Sequence, residues 1–145
     1  MSHIEVIARG LCMRGTQVLL CQNVNSGYYY LPGGHVEFEE AASVSLAREM
    51  IEEADMEVRV GKCVLVTEGA FATRKRMHHE INLVFLMELD VNVTVKSVEP
   101  HIAFDWVDIA SLEDLDLRPK AIKNWVMSAP DLSTVEWVSE IHQVD

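Results

Sequence analysis

The chain has 145 residues, of which 49% are hydrophobic and 24% charged. This composition is typical of globular proteins and excludes collagen-like and disordered classes, and the length predicts one domain over residues 1–145. The net charge of −11 argues against a general nucleic-acid binder, which needs a basic surface to displace counterions. The longest strongly apolar run, Leu83 to Met87, is far too short to cross a membrane.

Three cysteines, Cys12, Cys21 and Cys63, stand alone in the sequence. Their number is odd and they form no C-x-x-C pair. This pattern predicts free thiols and a reduced, cytoplasmic setting.

The first third of the chain is predicted to be mainly extended. Alternating apolar residues indicate a strand that contains Ile4, Val6 and Ala8. A hairpin is predicted from residues 11–13 and 18–21 around a central turn, and a short aromatic strand over residues 28–31 ends at Pro32-Gly33-Gly34.

The remainder mixes helices and strands. We expect a helix over residues 40–54 and extended segments at 58–66, 81–89, 91–95 and 102–106. A polar, basic loop is predicted at 72–77, a short helix at 109–115 and a second helix at 118–127, while 131–145 is ambiguous. These elements predict an α/β (α+β) fold with a mixed sheet.

The candidate functional residues lie on the helix predicted over residues 41–54. At helical spacing, Glu49, Glu52 and Glu53 share one face, because residues three and four apart are neighbours. An apolar core face is expected on the other side, from Val44, Ala47, Met50, Ile51 and Ala54. Three clustered carboxylates without interleaved lysines favour a divalent cation, which binds carboxylate oxygens. The alternative is an acidic helix facing solvent.

The segment before this helix contains two consecutive glycines, Gly33 and Gly34. Glycine allows the backbone to approach a ligand closely, so a main-chain carbonyl here could join the same metal site. The alternative is an ordinary tight turn.

Together these residues form a longer pattern. Gly34, Glu40 and the run Arg48-Glu49-Met50-x-Glu52-Glu53 resemble the Nudix box, over residues 34–56. The resemblance implies a Nudix-type α/β/α sandwich with a mixed β-sheet between helices. Asp55 departs from the family's usual glycine, at a position expected to adopt a left-handed conformation. Glu39 also replaces a frequent glycine.

The resemblance implies a pyrophosphohydrolase that cleaves a nucleoside diphosphate linked to another moiety, using Mg²⁺ or Mn²⁺. The implied metal ligands are Glu49, Glu52, Glu53 and the Gly33 carbonyl, and Glu40 with Arg48 would support and orient Glu49. Nucleotide sugars, ADP-ribose-like compounds and (d)NTPs all remain open as substrates. The alternative is a non-catalytic Nudix-like module that binds a nucleotide.

Two later glutamates compete with Glu49 for the role of general base. Glu99 precedes Pro100 in a loop, and by resemblance it could act as base or complete the metal site. Glu80 follows two histidines at the start of a predicted strand. Each could instead be an ordinary surface acid.

Four residues are candidates for substrate binding. Arg74 and Arg76 belong to the densest basic cluster and could hold a phosphate, although a solvated loop is the alternative. His78 could contact phosphate or end a strand, and Tyr30 could stack on a base or lie in the core. Arg9 could reach the substrate from the first strand. The expected partner is a small nucleotide, without long nucleic acid or membrane, and a homodimer is possible by family analogy.

Overall fold

The computed structural model describes residues 2–90 and 93–142. Within them it contains two α-helices, α1 (Ala42–Ala54) and α2 (Lys120–Met127), and a 3₁₀ helix over Ile109–Asp114. The strands are β1 (Glu5–Leu11), β2 (Met13–Arg14), β3 (Gln17–Asn23), β4 (Tyr29–Tyr30), β5 (Gly33–His35), β6 (Arg59–Ala72), β7 (Met77–Glu88), β8 (Ile102–Asp108) and β9 (Glu136–Ser139). None of the helices in these ranges is long and apolar enough to cross a membrane.

The larger sheet has the strand order β5-β1-β7-β6-β9. Strand β1 runs parallel to β7, and β6 runs parallel to β9. The pairs β1/β5 and β6/β7 are antiparallel, so the sheet is mixed. The central position of β7 brings residues that are far apart in sequence onto one surface.

The smaller sheet is built around β3. Strands β2, β4 and β8 all pair with β3 in antiparallel fashion. Its turn at Gly15 has a φ of 61°, a conformation that glycine adopts without a steric penalty. The predicted hairpin is therefore present.

The two helices cover opposite faces of the larger sheet. Residues Leu46 and Met50 of α1 pack with Ala8 in one core cluster, whereas Ile122 and Trp125 of α2 belong to the other. Alternate residues of a strand point to opposite faces, which is why one sheet can serve both clusters. The predicted sandwich with a mixed sheet between helices is confirmed.

The predicted core face of α1 was partly wrong. Val44 and Ile51 are 56% and 50% exposed, while Leu46 is fully buried. Ser45 is also buried, and its hydroxyl donates to the carbonyl of His35 at 3.1 Å. This bond satisfies a polar group inside the interface, so the buried face of the helix includes a position that hydropathy alone would leave exposed.

Some predicted elements differ in extent. Residues 93–97 form no strand, and the predicted strand residue Val91 lies outside the described ranges. The segment predicted at 109–115 is a 3₁₀ helix, and the ambiguous tail contains β9 on the edge of the larger sheet. The extended segment predicted at 58–66 is part of β6, which continues to Ala72 through irregular pairing.

Candidate active site

Two glycines bring β5 close to its neighbours. Gly33 has a φ of 144° and pairs with Arg9, and a Cβ there would overlap the backbone of Ala8. A Cβ at Gly34 would overlap the Glu49 carboxyl group. Both positions therefore require glycine, one for strand pairing and the other for room beside a carboxylate of α1.

The ends of α1 have left-handed residues where the resemblance led us to expect glycines. Asp55 has φ 50° and ψ 46°, and its N–H donates to the carbonyl of Ile51. The left-handed conformation predicted for Asp55 is thus confirmed. Glu39, before the helix, has a φ of 64°. Ala41 at the N-cap makes no side-chain capping bond.

Arg48 is the centre of an ion-pair network on α1. Its Nε donates to Glu40 Oε2 at 2.7 Å, and its Nη1 donates to Glu49 Oε1 and Glu52 Oε2, each at 3.1 Å. The hydrogen bond from Arg48 lowers the pKa of Glu40 to about 2. One guanidinium therefore holds three carboxylates, including two of the predicted metal ligands, in a fixed arrangement.

Glu53 differs from the other carboxylates of α1. Its Oε2 is buried and has no hydrogen-bond partner within residues 2–90 and 93–142. Burial, together with the charge of Glu49, raises the pKa of Glu53 to about 8. A buried carboxylate with an unused oxygen beside a second carboxylate is the environment that a cation would stabilise.

A loop before β8 brings Glu99 to the same place. The carbonyl of Glu53 accepts a hydrogen bond from Val98 N at 2.8 Å. Ser97 Oγ donates to the Glu99 carbonyl at 2.8 Å and lies 3.4 Å from the Glu53 carbonyl. The charge of Glu99 contributes to the raised pKa of Glu53. The structure therefore brings together Glu49, Glu53 and Glu99, although Glu49 and Glu99 are 50 residues apart in the sequence.

A cleft of about 530 Å³ lies on the α2 side of the larger sheet. Its floor comes from β1, β6 and β7, and its walls come from β4 and the start of α2. Arg9 and Tyr30 line it, and both are electrostatically coupled to Glu53. The cleft is therefore adjacent to the carboxylate cluster, and Arg9 lies in its lining, where its contact with substrate stays a prediction.

The other residues predicted to bind substrate lie beside the cleft rather than in its lining. Arg76 Nη2 and His78 Nδ1 each donate to the Glu5 carboxylate at 3.1 Å. His78 also stacks on Phe71, with ring centroids 4.8 Å apart. Arg74 is exposed in the turn between β6 and β7. The basic turn therefore borders the cleft while one of its arginines is engaged by Glu5.

Glu5, His78 and Glu80 each offer a possible metal ligand, and these ligand atoms lie within 4.8 Å of one another. Glu5 is only 9% exposed and also contacts His35. Burial opposes ionisation of Glu5, but the hydrogen bonds from His78 and His35 outweigh it and lower the pKa. Among the described residues, Glu5 already pairs with Arg76, His35 and His78, whereas Glu53 has a buried oxygen without a partner. The carboxylates of α1 are therefore the better candidate for a cation site.

Sequence reasoning missed two buried polar residues in the floor of the cleft. Asn82 and Thr67 are 2% and 1% exposed and pair across β7 and β6. The sequence signal is a polar residue next to apolar ones, Thr67 after Val66 and Asn82 between Ile81 and Leu83. Their meeting depends on strand register, which the isolated segments do not reveal.

Comparison with known proteins identifies the family of this chain. The family model described as the NUDIX domain matches residues 1–127. A curated relative from Mycobacterium tuberculosis (strain CDC 1551 / Oshkosh), named "Putative 8-oxo-dGTP diphosphatase 2", is 29% identical over 137 residues. The match covers 84% of this chain and 85% of the relative.

Solved structures show the same fold. A NUDIX hydrolase from Nitrosomonas europaea has a TM-score of 0.69 at 17% identity, with 93% of this chain and 77% of that chain covered. An ADP-ribose pyrophosphatase from Streptococcus suis 89-1591 has a TM-score of 0.65 at 18% identity, with 94% and 98% covered. With the family model spanning most of the sequence, this chain belongs to the NUDIX family and is a Nudix hydrolase.

Proposed function

We propose that this protein is a divalent-metal-dependent pyrophosphohydrolase that acts on nucleoside triphosphates or related nucleoside diphosphate derivatives. The observation that carries the proposal is the buried, unpartnered Oε2 of Glu53 beside Glu49 and Glu99. Such a group is unfavourable by itself and becomes favourable when a cation neutralises it.

The residues present fit a divalent cation. Glu49, Glu52, Glu53 and Glu99, with the carbonyl of Gly33, would supply the oxygen ligands that Mg²⁺ or Mn²⁺ prefers. A bound cation would neutralise pyrophosphate oxygens and make a nearby water molecule more acidic.

The carboxylates would then perform the proton transfer. Water attacks phosphorus, the bond between phosphorus and the bridging oxygen breaks, and a carboxylate accepts the proton of the water. Glu49 and Glu99 are the candidates for this base because both lie beside Glu53. Glu40 and Arg48 orient Glu49 through the measured ion pairs.

The cleft would hold the nucleoside. Tyr30 lines it and could stack on a base, while Arg9 joins it to the carboxylate cluster. Arg74, Arg76 and His78 border the cleft and would meet substrate from its rim, with Arg76 giving up its contact with Glu5. A triphosphate substrate is supported by the name of the mycobacterial relative, and a sugar-linked one by the name of the streptococcal structure.

The test is hydrolysis of a panel of nucleoside triphosphates, ADP-ribose and nucleotide sugars, with Mg²⁺, with Mn²⁺ and with EDTA. Anion-exchange chromatography separates the nucleoside monophosphate products from the substrates without a coupling enzyme. We expect hydrolysis that EDTA abolishes. Glu53→Gln should reduce turnover about 100–1,000-fold, on the order of the loss seen when one charge-stabilising group is removed from other active sites.

The matched control is Glu113→Gln, which removes one negative charge from an exposed position in the 3₁₀ helix. It should leave turnover unchanged. Full activity of folded Glu53→Gln, or activity that persists in EDTA, would contradict the proposal. Nucleotide binding without hydrolysis across the panel would favour the alternative, a non-catalytic nucleotide-binding module.

We also propose a cytoplasmic location. Cys12, Cys21 and Cys63 are all free thiols, and the first two are buried. Free thiols are typical of reducing compartments.

A further inference from the structure

The C-terminal strand β9 lies beyond the region that the family model matches, which ends at residue 127. The strand nevertheless joins the larger sheet, because Glu136–Ser139 pairs in parallel with residues 65–68 of β6. The next residue continues this pairing, since Glu140 N donates to the Glu68 carbonyl at 2.8 Å. Strand β6 supplies part of the cleft floor, so β9 is docked directly beside the cleft.

The side chain of Glu140 belongs to the lining of the cleft. Gly69 of β6 also lines the cleft, and a Cβ added there would lie 3.9 Å from both Cβ and Oε1 of Glu140. Glu140 Oε1 accepts a hydrogen bond from the Ala121 N–H at 3.1 Å. One glutamate therefore joins the edge of the sheet, the floor above Gly69 and the first turn of α2.

The first turn of α2 needs an acceptor from outside the helix, because the first N–H groups of any helix lack one within it. Pro119 at the N-cap has no polar side-chain atom and makes no capping bond. Ala121 is only 7% exposed, so its N–H depends on a protein acceptor. Glu140 supplies that acceptor from 19 residues along the chain, and its charge suits the positive end of the helix.

The segment that leads into α2 forms one wall of the cleft, which is lined by Arg118, Pro119 and Lys120. Arg118 N donates to the Tyr29 carbonyl at 2.9 Å, which ties this wall to β4. The Arg118 guanidinium lies 4.6 Å from the centroid of the Tyr28 ring, another part of the lining. The wall is therefore tied to β4 just before α2 begins and to β9, through Glu140, just after.

We propose that Glu140 is a positioning residue of the substrate cleft, which fixes the first turn of α2 so that Arg118 and Lys120 present a preformed wall to the nucleotide. Without the bond to the Ala121 N–H, the first turn would fray and the wall would have its binding shape only part of the time. The apparent affinity for a ligand falls with the fraction of molecules in the binding shape. This inference deepens the proposed function and rests on it, because the nucleotide would bind in this cleft.

Two substitutions separate the hydrogen bond from the rest of the side chain. Glu140→Ala removes the acceptor, whereas Glu140→Gln keeps an amide oxygen that can accept from the Ala121 N–H. Glu136→Ala is the matched control, because it removes a glutamate from an exposed position of the same strand. A role of Glu140 in positioning therefore predicts a loss in the first variant alone.

The experiment measures binding of ADP, GDP, CDP and UDP by calorimetry in EDTA, well below the thermal midpoint, and follows the tightest of the four through the variants. Glu140→Ala should weaken it at least about fivefold, since loss of a cap destabilises the first turn. Glu140→Gln and Glu136→Ala should stay within about twofold of the wild type. A purely structural role of Glu140 would lower the thermal midpoint of Glu140→Ala without changing the affinity of the folded protein.

Turnover gives a second measurement, because α1 and α2 cover opposite faces of the larger sheet. Glu140→Ala should raise KM while kcat and the Mg²⁺ dependence stay close to those of the wild type, as expected when binding alone is weakened.

Unchanged nucleotide affinity in folded Glu140→Ala would overturn the inference. So would a Glu140→Gln variant that binds as weakly as Glu140→Ala, or a wild type that binds none of the four nucleotides. The expected binding pattern without hydrolysis of any substrate supports the inference while contradicting the proposed function. Metal-dependent hydrolysis with unchanged KM in Glu140→Ala does the reverse.

Discussion

Arg48 and Glu40 are joined by the shortest ion pair of the α1 network, with Arg48 Nε 2.7 Å from Glu40 Oε2. A second bond, from Arg48 Nη2 to Glu40 Oε1 at 3.0 Å, makes the contact two-pronged. The third nitrogen, Nη1, remains free to hold Glu49. Glu40 therefore fixes the plane of the guanidinium, and the guanidinium fixes the carboxylate of Glu49.

Arg48→Lys should therefore reduce turnover although it preserves the charge. An ammonium cannot hold Glu40 and Glu49 together with the same planar geometry. We expect kcat to fall about 10–100-fold, the range typical for groups that support metal ligands. Steady-state kinetics at saturating Mg²⁺ measures this. Arg59→Lys, in an exposed ion pair with Asp90, is the control and should leave kcat unchanged.

The metal-free protein should become less stable as pH rises from about 5 to 8. Glu53 has its pKa raised from 4.5 to about 8 by burial and by Glu49. Between these two values the folded state binds more protons than the unfolded state, so the free energy of unfolding falls with increasing pH. Thermal unfolding in EDTA, compared between wild type and Glu53→Gln, isolates this contribution. Parallel pH profiles of the two proteins would contradict it.

Saturating Mg²⁺ should reverse much of this loss at pH 8. A cation that binds only the folded state stabilises it by mass action and favours ionised carboxylates. The gain in thermal midpoint on adding Mg²⁺ should thus be larger at pH 8 than at pH 6. Glu53→Gln should show a smaller gain at both values.

The buried face of α1 can be tested by a matched pair of truncations. Leu46→Ala removes a fully buried side chain and should cost about 2–5 kcal/mol of unfolding free energy. Ile51→Ala removes a half-exposed one and should cost less than about 1 kcal/mol. Urea denaturation measures both. Similar losses in the two variants would show that α1 is rotated relative to the structure described above.

Asp55→Gly should stabilise the protein. Asp55 is left-handed at the end of α1, and a non-glycine residue pays about 1 kcal/mol in that conformation. Relief of this strain should raise the thermal midpoint by about 3 °C. Glu57→Gly, an exposed position two residues later, should give no increase. A lower midpoint for Asp55→Gly would mean that the aspartate side chain contributes more than the strain costs.

The sequence predicts the carboxylates of α1 well because their arrangement is local. Glu49 and Glu53 are one helical turn apart, so spacing alone places them together. The side of α1 that would be buried was harder to predict, because the choice depends on the sheet beneath it. Leu46 packs in the same core cluster as Ala8 of β1, and Ser45 bonds the His35 carbonyl of β5; the hydropathy of the helix alone contains no information about either contact.

The cleft depends on contacts between distant segments. Arg9, Thr67 and Asn82 meet only because β7 lies between β1 and β6. In the sequence, each of these three is only a polar residue within a predicted or observed strand. Likewise, the approach of Glu99 to Glu53 depends on how one loop docks against a helix end. The metal-ligand and substrate roles of all these residues, and the extent of the domain, stay predictions.

The docking of that loop has a consequence for how the protein opens. The Val98 N–H donates a hydrogen bond to the Glu53 carbonyl in the last turn of α1. The Val98 amide proton can therefore exchange with solvent only when that bond breaks. Hydrogen exchange at Val98 should therefore match the slow exchange of the α1 amides rather than the fast exchange of a surface loop. A cation shared by Glu53 and Glu99 would slow both together. A single backbone amide thus reports, without any substrate, whether the two halves of the site are held as one cooperative unit.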